Sequence, residues 1–237
     1  MDRKPNNDRP EQTWLLLDCN YICYRAYYST GSLSHRGDPI GTIFGFLKQV
    51  QTLQELHNTD RIAFCFDDGK QLRDLEFPEY KAVRKAKRAQ EDEGITGMRV
   101  QVTRLKREIL PDLGYRNILF RNGYEADDMI AYLVDHHIVP TRLAGMSGPR
   151  LRGIIVSSDK DMYQLLRPGV TIWDPFKGKA RNQSWLESEY GVTPRQWAMV
   201  KAMAGCSSDG IPGIVGVGEK TACAILTGRA GNKAKLR

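Results

Sequence analysis

The stretch Gly153–Leu166, GIIVSSDKDMYQLL, decides how the chain is read. An apolar run ends in two serines, and Asp159 and Asp161 then flank a lysine before a second apolar run begins. The pattern is that of a buried strand giving way to a helix. An aspartate at that junction has an ordinary use, because its side chain caps a helix N-terminus. Taken alone, the segment leaves capping and ligand duty both open.

Two other apolar runs finish the same way. WLLLDCN ends at Asp18, and RIAFCFDDG ends at Asp67 and Asp68. Between the runs, GTIFGFLKQVQTLQELH sets Ile43, Phe44, Leu47, Val50 and Leu53 at helical spacing, and EADDMIAYLVDHH does so with Met129, Ile130, Leu133 and Val134. Short strands alternating with amphipathic helices predict an α/β fold with a mainly parallel sheet flanked by helices. Sites in such sheets lie beyond the carboxyl ends of the strands. The helix that starts near GYEADD adds Glu125, Asp127 and Asp128. Four segments thus bring carboxylates to one edge. Like charges gathered there raise one another's pKa unless a cation neutralises them, and an all-oxygen set suits Mg²⁺ or Mn²⁺ rather than zinc. On that ground Asp159 and Asp161 read as ligands rather than caps.

The 237 residues carry 35 Lys and Arg against 28 Asp and Glu, a formal charge of +7. Position says more than the total. In YKAVRKAKRAQ, Lys81, Arg84, Lys85, Lys87 and Arg88 stand with no acid among them. Basic residues around an acidic site suggest a protein that binds polyphosphate and acts on it through metals. No apolar run approaches membrane-spanning length, and the polar start, residues 1–13, reads as a disordered tail. The five cysteines make no CxxC pair and have no histidine at zinc spacing, which fits reduced thiols in a cytoplasmic protein. HHIVPTRLAGMSGPRLRG reads as an irregular loop, with His136 and His137 solvated.

GIPGIVGVGEKTACAIL is not a P-loop, since Glu219 separates Gly218 from Lys220 and no apolar strand precedes it. It reads instead as a tight turn leading into a helix. Gly216 and Gly218 let the backbone approach a phosphate, and Lys220, followed by Thr221, stands at the helix start. A hairpin turn without a ligand is the alternative.

GYEADDMIA, SSDKDMYQLL and GIPGIVGVGEKTA, in that order, resemble the 5′ nuclease family of flap endonucleases, phage 5′–3′ exonucleases and the nuclease domain of bacterial DNA polymerase I. The resemblance runs from Trp14 to Leu226 and includes FCFDDGKQLRDLEFPEYKAVR, which is similar to the approach to that family's helical arch. It implies an α/β core over residues 14–190, an arch at about 80–107, and a helix–three-turn–helix module over 191–237. It also implies two metal ions. Asp18, Asp67, Glu125, Asp127 and Asp128 resemble ligands around the first, and Asp159, Asp161 and Asp209 resemble the carboxylates facing the second. Lys81 resembles the arch-base lysine that reaches the scissile phosphate, with Arg73 and Arg84 in support. Lys85, Lys87 and Arg88 extend a basic strand-covering surface, and a K⁺ ion is implied at the glycine turn.

The implied activity is 5′–3′ exonuclease and flap endonuclease cleavage of DNA carrying a 5′ flap, a 5′ overhang or a branch, by a monomer with no membrane partner. Two departures stand out. Where the family often reads GDxSDN, this chain has GCSSDG, with Cys206 in place of a carboxylate and Gly210 in place of asparagine. The chain also ends at Arg237, soon after the turn's second helix. Two other readings are a structure-specific DNA-binding protein with weakened hydrolysis, and a PIN-type ribonuclease.

Overall fold

A computed structural model describes residues 9–69, 72–82, 93–142 and 146–229. The chain forms two compact units, Met1–Gln71 with Glu91–Ser157, and Leu72–Gln90 with Ser158–Arg237.

In the first unit, β1 (Glu11–Asp18), β2 (Ile62–Cys65), β3 (Ile118–Leu119) and β4 (Arg150–Val156) form a parallel arrangement ordered β3-β2-β1-β4. Leu15, Leu16 and Leu17 on β1, Phe64 on β2, and Ile155 and Val156 on β4 are all buried. Unbroken apolar runs of this kind mark strands covered on both faces, which is why each one read as a strand. The cover includes α1 (Cys19–Thr30), α2 (Gly41–His57), α3 (Glu93–Arg104) and α4 (Ala126–Leu133).

The stripe of α2 that faces inward is Ile43, Phe46, Val50 and Leu53. Phe44 is exposed and Leu47 only half-buried, so two of the five residues expected on that face lie off it. Phe46 takes the place, its ring 6.2 Å from that of Phe64 and 6.3 Å from that of Phe66. Burying a ring of this size stabilises by roughly 2 kcal/mol. Ile40 gives α2 no side-chain cap. Instead Gln101 Oε1 accepts from the N–H groups of Thr42 (3.0 Å) and Ile43 (3.2 Å), serving two donors that the helix start leaves unpaired.

Three expectations need correction here. Residues 9–13 are not tail: Glu11–Thr13 pair with Arg150–Arg152, and the Arg9 guanidinium donates to the carbonyls of Met146 and Thr141. The arch was expected to reach residue 107, yet α3 buries Met98, Gln101 and Leu105 and runs through a π-helical turn, Leu105–Ile109, into Leu110–Asp112. That half of the segment is a helix with one face buried and the rest exposed or intermediate; residues 83–92 lie outside the described residues. The expected loop after His137 is helical at first, with a π-helical turn at Val134–Ile138 and a 3₁₀ turn at Pro140–Arg142. His136 and His137 are exposed, as expected, with ring centroids 4.5 and 5.7 Å from that of Tyr132.

The second unit opens on a single helical turn, Arg73–Glu76, and resumes with a 3₁₀ helix, Lys160–Leu165, where a longer helix was expected. An antiparallel hairpin follows, β5 (Val170–Asp174) with β6 (Lys179–Arg181), then α5 (Gln183–Tyr190), α6 (Pro194–Ala204) and α7 (Glu219–Leu226). Tyr163, Trp185, Tyr190 and Trp197 pack as an aromatic cluster with centroids 5.0 to 6.4 Å apart. The cluster joins residues on both sides of the expected 190/191 boundary. Trp197 shares one core with Tyr163, so the segment from Ser158 onward belongs with the C-terminal helices.

Candidate active site

The order β3-β2-β1-β4 sets a switch point between β1 and β4, where the chain leaves β1 for one side of the sheet and later returns on the other. Asp18 is the last residue of β1 and is 9% exposed. Its Oδ1 accepts from the Tyr21 N–H (3.1 Å), capping α1, and its Oδ2 accepts from Ser157 Oγ (3.0 Å), the residue just past β4. The switch point therefore fixes this carboxylate from both strands.

Asp67 lies two residues beyond β2. Its Oδ1 accepts from the Ala126 N–H at 2.8 Å, and its own N–H donates to Asn20 Oδ1 at 3.3 Å. The first bond ties the β2 edge to the N-terminus of α4, where partial positive charge favours an acid. There Glu125 and Asp128 form a capping box, with Asp128 Oδ2 accepting from the Glu125 N–H at 2.9 Å. Glu125 is itself buried. The Cys65 thiol registers two of these acids: burial pushes it well up, and the charges of Asp18 and Asp127 push it further. Cys19 and Cys23 are raised by burial too, with Asp18 contributing. Asp18 thus stands at the end of β1, Asp67 just past β2, and Glu125, Asp127 and Asp128 at the start of α4.

Among the described residues, no group of three or more His, Cys, Asp or Glu side chains is placed to hold a metal ion. By chemistry the five acids are an all-oxygen set, the kind a hard divalent ion takes, and Asp18 and Glu125 among them are buried.

In the second unit, Asp159 is after all a cap. It begins the 3₁₀ helix, and its Oδ1 accepts from the Asp161 N–H at 2.8 Å. Capping and ligation are compatible, because a carboxylate has two oxygens and the cap engages one. Asp159 keeps an exposed surface, yet surrounding protein displaces enough water to raise its carboxyl above the usual range. Asp161 and Asp209 add to the rise, while the Asp161 N–H and Lys201 oppose it. Cys206 donates its thiol to Asp209 Oδ2 at 3.1 Å and lies 3.2 Å from Ser208 Oγ.

Lys81 joins this neighbourhood through its backbone, its N–H donating to the Asp209 carbonyl at 2.7 Å. Its φ of 55° is left-handed, rare for a residue with a side chain, and its ammonium lies 4.8 Å from the Tyr80 ring centroid. The same contact accounts for Gly210. Its φ is 73°, and a Cβ there would come within 2.7 Å of the Glu79 carbonyl oxygen.

Gly216 is also left-handed, at 78°, and a Cβ on it or on Gly218 would project into open space, so both leave room for a ligand to approach. Lys220 is exposed and Thr221 half-buried in the first turn of α7. Arg73 is exposed on its single helical turn. Arg84, Lys85, Lys87 and Arg88 lie outside the described residues.

Several neighbours were missed in the sequence. Lys106, buried in the π-helical turn after α3, pairs with Asp68 Oδ1 and lies 4.9 Å from the Phe120 ring centroid. Lys201, near the end of α6, pairs with Asp161 at 3.1 Å and approaches Glu219 at 3.8 Å, while Lys160 pairs with Glu219. Asn20 and Ser157 lie inside the quoted stretches WLLLDCN and GIIVSSDKDMYQLL, but neither was assigned a part in the site.

A switch-point sheet with an acid-lined carboxyl edge puts the chain in a class: an α/β domain with a site built on strand ends. Residues 13–191 match the family model described as 5′–3′ exonuclease, N-terminal resolvase-like domain, and the chain belongs to that family. It is 35% identical over 230 residues to DNA polymerase I of Deinococcus radiodurans, covering 95% of this chain and 22% of that protein. Against DNA polymerase I of Mycobacterium tuberculosis the identity is 33% over 226 residues, covering 92% and 23%. The chain thus spans about a quarter of the length of these curated relatives.

Among solved structures, a bacteriophage T5 flap endonuclease complex with DNA and metal ions matches with a TM-score of 0.71 at 22% identity, covering 91% of this chain and 74% of that one. The catalytic core of Rad2 with a DNA substrate matches at 0.54 and 16%, covering 92% and 60%. These likenesses establish the shared fold.

Proposed function

We propose that the chain is a divalent-metal-dependent phosphodiesterase that hydrolyses DNA at or near 5′ ends, as a 5′–3′ exonuclease and a flap endonuclease. One observation carries the reading: Asp18, Asp67 and the N-terminus of α4 meet at the strand-end edge, inside the residues that match the family. The T5 flap endonuclease, described with DNA and metal ions, supports the same kinds of partner.

In this reading Asp18, Asp67, Glu125, Asp127 and Asp128 hold one Mg²⁺ or Mn²⁺, and Asp159, Asp161 and Asp209 hold a second, in part through water. Such ions lower the pKa of a bound water and offset charge on the phosphate oxygens. The protein's own part is orientation. The N–H groups of Tyr21 and Ala126 and the Ser157 hydroxyl each fix one carboxylate oxygen, so the acids keep their direction as substrate arrives. Lys81, with Arg73 and Arg84 in support, offsets charge that grows at the scissile phosphate. Its strained backbone is the kind of local cost that functional sites retain.

Gly216, Gly218, Lys220 and Thr221 hold duplex phosphates in a helix–three-turn–helix module, with K⁺ at the turn carbonyls, and Lys85, Lys87 and Arg88 cover a single strand. Free thiols at all five cysteines support a reducing, cytoplasmic setting, and the protein acts as a monomer. No helix among the described residues is long and apolar enough to cross a membrane.

The test uses 5′-labelled flap DNA and a matched RNA, each with Mg²⁺ and with EDTA. Metal-dependent DNA cleavage is the expected result. Binding without cleavage would favour a structure-specific DNA-binding protein, and preference for RNA a PIN-type ribonuclease.

A further inference from the structure

We infer that Lys201 is a tethered cation of the Asp159–Asp161–Asp209 set, so that this set takes its divalent ion more weakly than the Asp18–Asp67 set does. The inference rests on the two-ion reading above and deepens it. Lys201 stands in the last turn of α6, with its side chain 23% exposed. Its ammonium is 3.1 Å from Asp161 Oδ1 and 3.8 Å from Glu219 Oε1. An ion arriving at Asp161 meets a carboxylate whose charge the Lys201 ammonium already offsets, and the two cations repel each other at that short range. The repulsion, or the loss of the pairing if the ammonium withdraws, appears as lost affinity.

The rest of the neighbourhood points the same way. Lys160 pairs with Glu219, so a second ammonium offsets acid charge beside Lys201. Cys206 offers a thiol that donates to Asp209 Oδ2, taking up a lone pair there where a carboxylate would have supplied one. Among the acids Asp159, Asp161, Asp209 and Glu219, Asp161 and Glu219 thus pair with lysines and Asp209 accepts from a thiol. A half-exposed ion pair is weak enough to yield to a divalent ion and strong enough to be felt. The consequence is a set that fills readily only when a substrate phosphate adds ligands and negative charge of its own.

The experiment is Mn²⁺ binding to the full chain without DNA, read from the EPR signal of the free ion. The native protein should show one tighter and one weaker step, and Asp128→Asn should weaken the tighter one, which assigns the other to the Asp161 set. Lys201→Met should tighten the weaker step by about threefold to tenfold, the scale of one or two partly exposed pairs. Lys201→Gln, which keeps a polar side chain, should do the same, so that a packing fault in one variant cannot mislead. If both variants leave the weaker step unchanged or loosen it, or if the native chain binds two ions equally, Lys201 has no such role. Flap cleavage on the same preparations separates the two claims. Metal-dependent cleavage with an unchanged weaker step overturns the role of Lys201 alone. Absence of both Mn²⁺ binding and cleavage overturns the nuclease reading with it.

Discussion

Lys106 shows how much a single side chain can hold at the residue scale. It is 8% exposed, pairs with Asp68, and reaches the Asp67 carbonyl at 3.5 Å. Removing one partner of a buried pair leaves the other charge uncompensated, whereas removing both can be close to neutral. Lys106→Met should therefore lower unfolding stability in urea by about 3 kcal/mol, and Lys106→Met with Asp68→Asn should recover most of it. A double variant as unstable as the single one would mean that packing matters here and the pair does not. Cys206 sets a second test at this scale. Cys206→Asp replaces a thiol, a soft group with little affinity for Mg²⁺, by a hard oxygen ligand. The Mg²⁺ activation curve for cleavage should move to lower concentration, with Mn²⁺ partly rescuing the native chain. Coincident curves for the two proteins would make Cys206 a packing residue.

At the scale of elements, the β5–β6 hairpin is clasped by Asp174 and Arg181, both buried, at 2.9 Å. Burial alone would raise the Asp174 carboxyl, but hydrogen bonds from Arg181, Ser158 and the Lys177 N–H outweigh it and hold the group below its ordinary value. A carboxyl more acidic when folded contributes fully above its unfolded pKa, about 3.9, and loses that contribution as pH falls through the lower folded value. Urea stability measured from pH 6 to pH 2 should therefore drop below about pH 4, and the drop should be shallower in Arg181→Met. Equal acid slopes would show that Asp174 does not govern it. The strands that carry the site were legible because burial on both faces leaves unbroken apolar runs. The first residues of β1 were not, because Glu11–Thr13 join the sheet through backbone bonds that ask nothing of the side chains. The second half of the expected arch misled for the opposite reason. Its charged residues look solvated in the sequence, yet Met98, Gln101, Leu105 and Lys106 line the inward face of α3 and its π-helical extension.

At the scale of the whole molecule, the acids were legible because strand ends and helix starts are marked in sequence, at Asp18, Asp67, Glu125 and Asp159. Their counter-charges were not. Lys106 pairs 38 positions from Asp68, and Lys160 pairs 59 positions from Glu219. A single lysine on a helix looks the same in sequence whether it meets water or a buried carboxylate. The two-unit division was hidden likewise, since the aromatic cluster that joins Tyr163 to Trp197 has no local signature. The central claim is that the strand-end carboxylates drive metal-dependent cleavage of DNA and are not needed to bind it. Its most direct test is the single-turnover rate on a 5′ flap in saturating Mg²⁺, for the native chain and Asp128→Asn, with DNA affinity measured in Ca²⁺ alongside. The expected result is a rate lower by about a thousandfold or more with affinity largely kept, because metal charge matters most as the phosphate reacts. A near-native rate in Asp128→Asn would contradict the account.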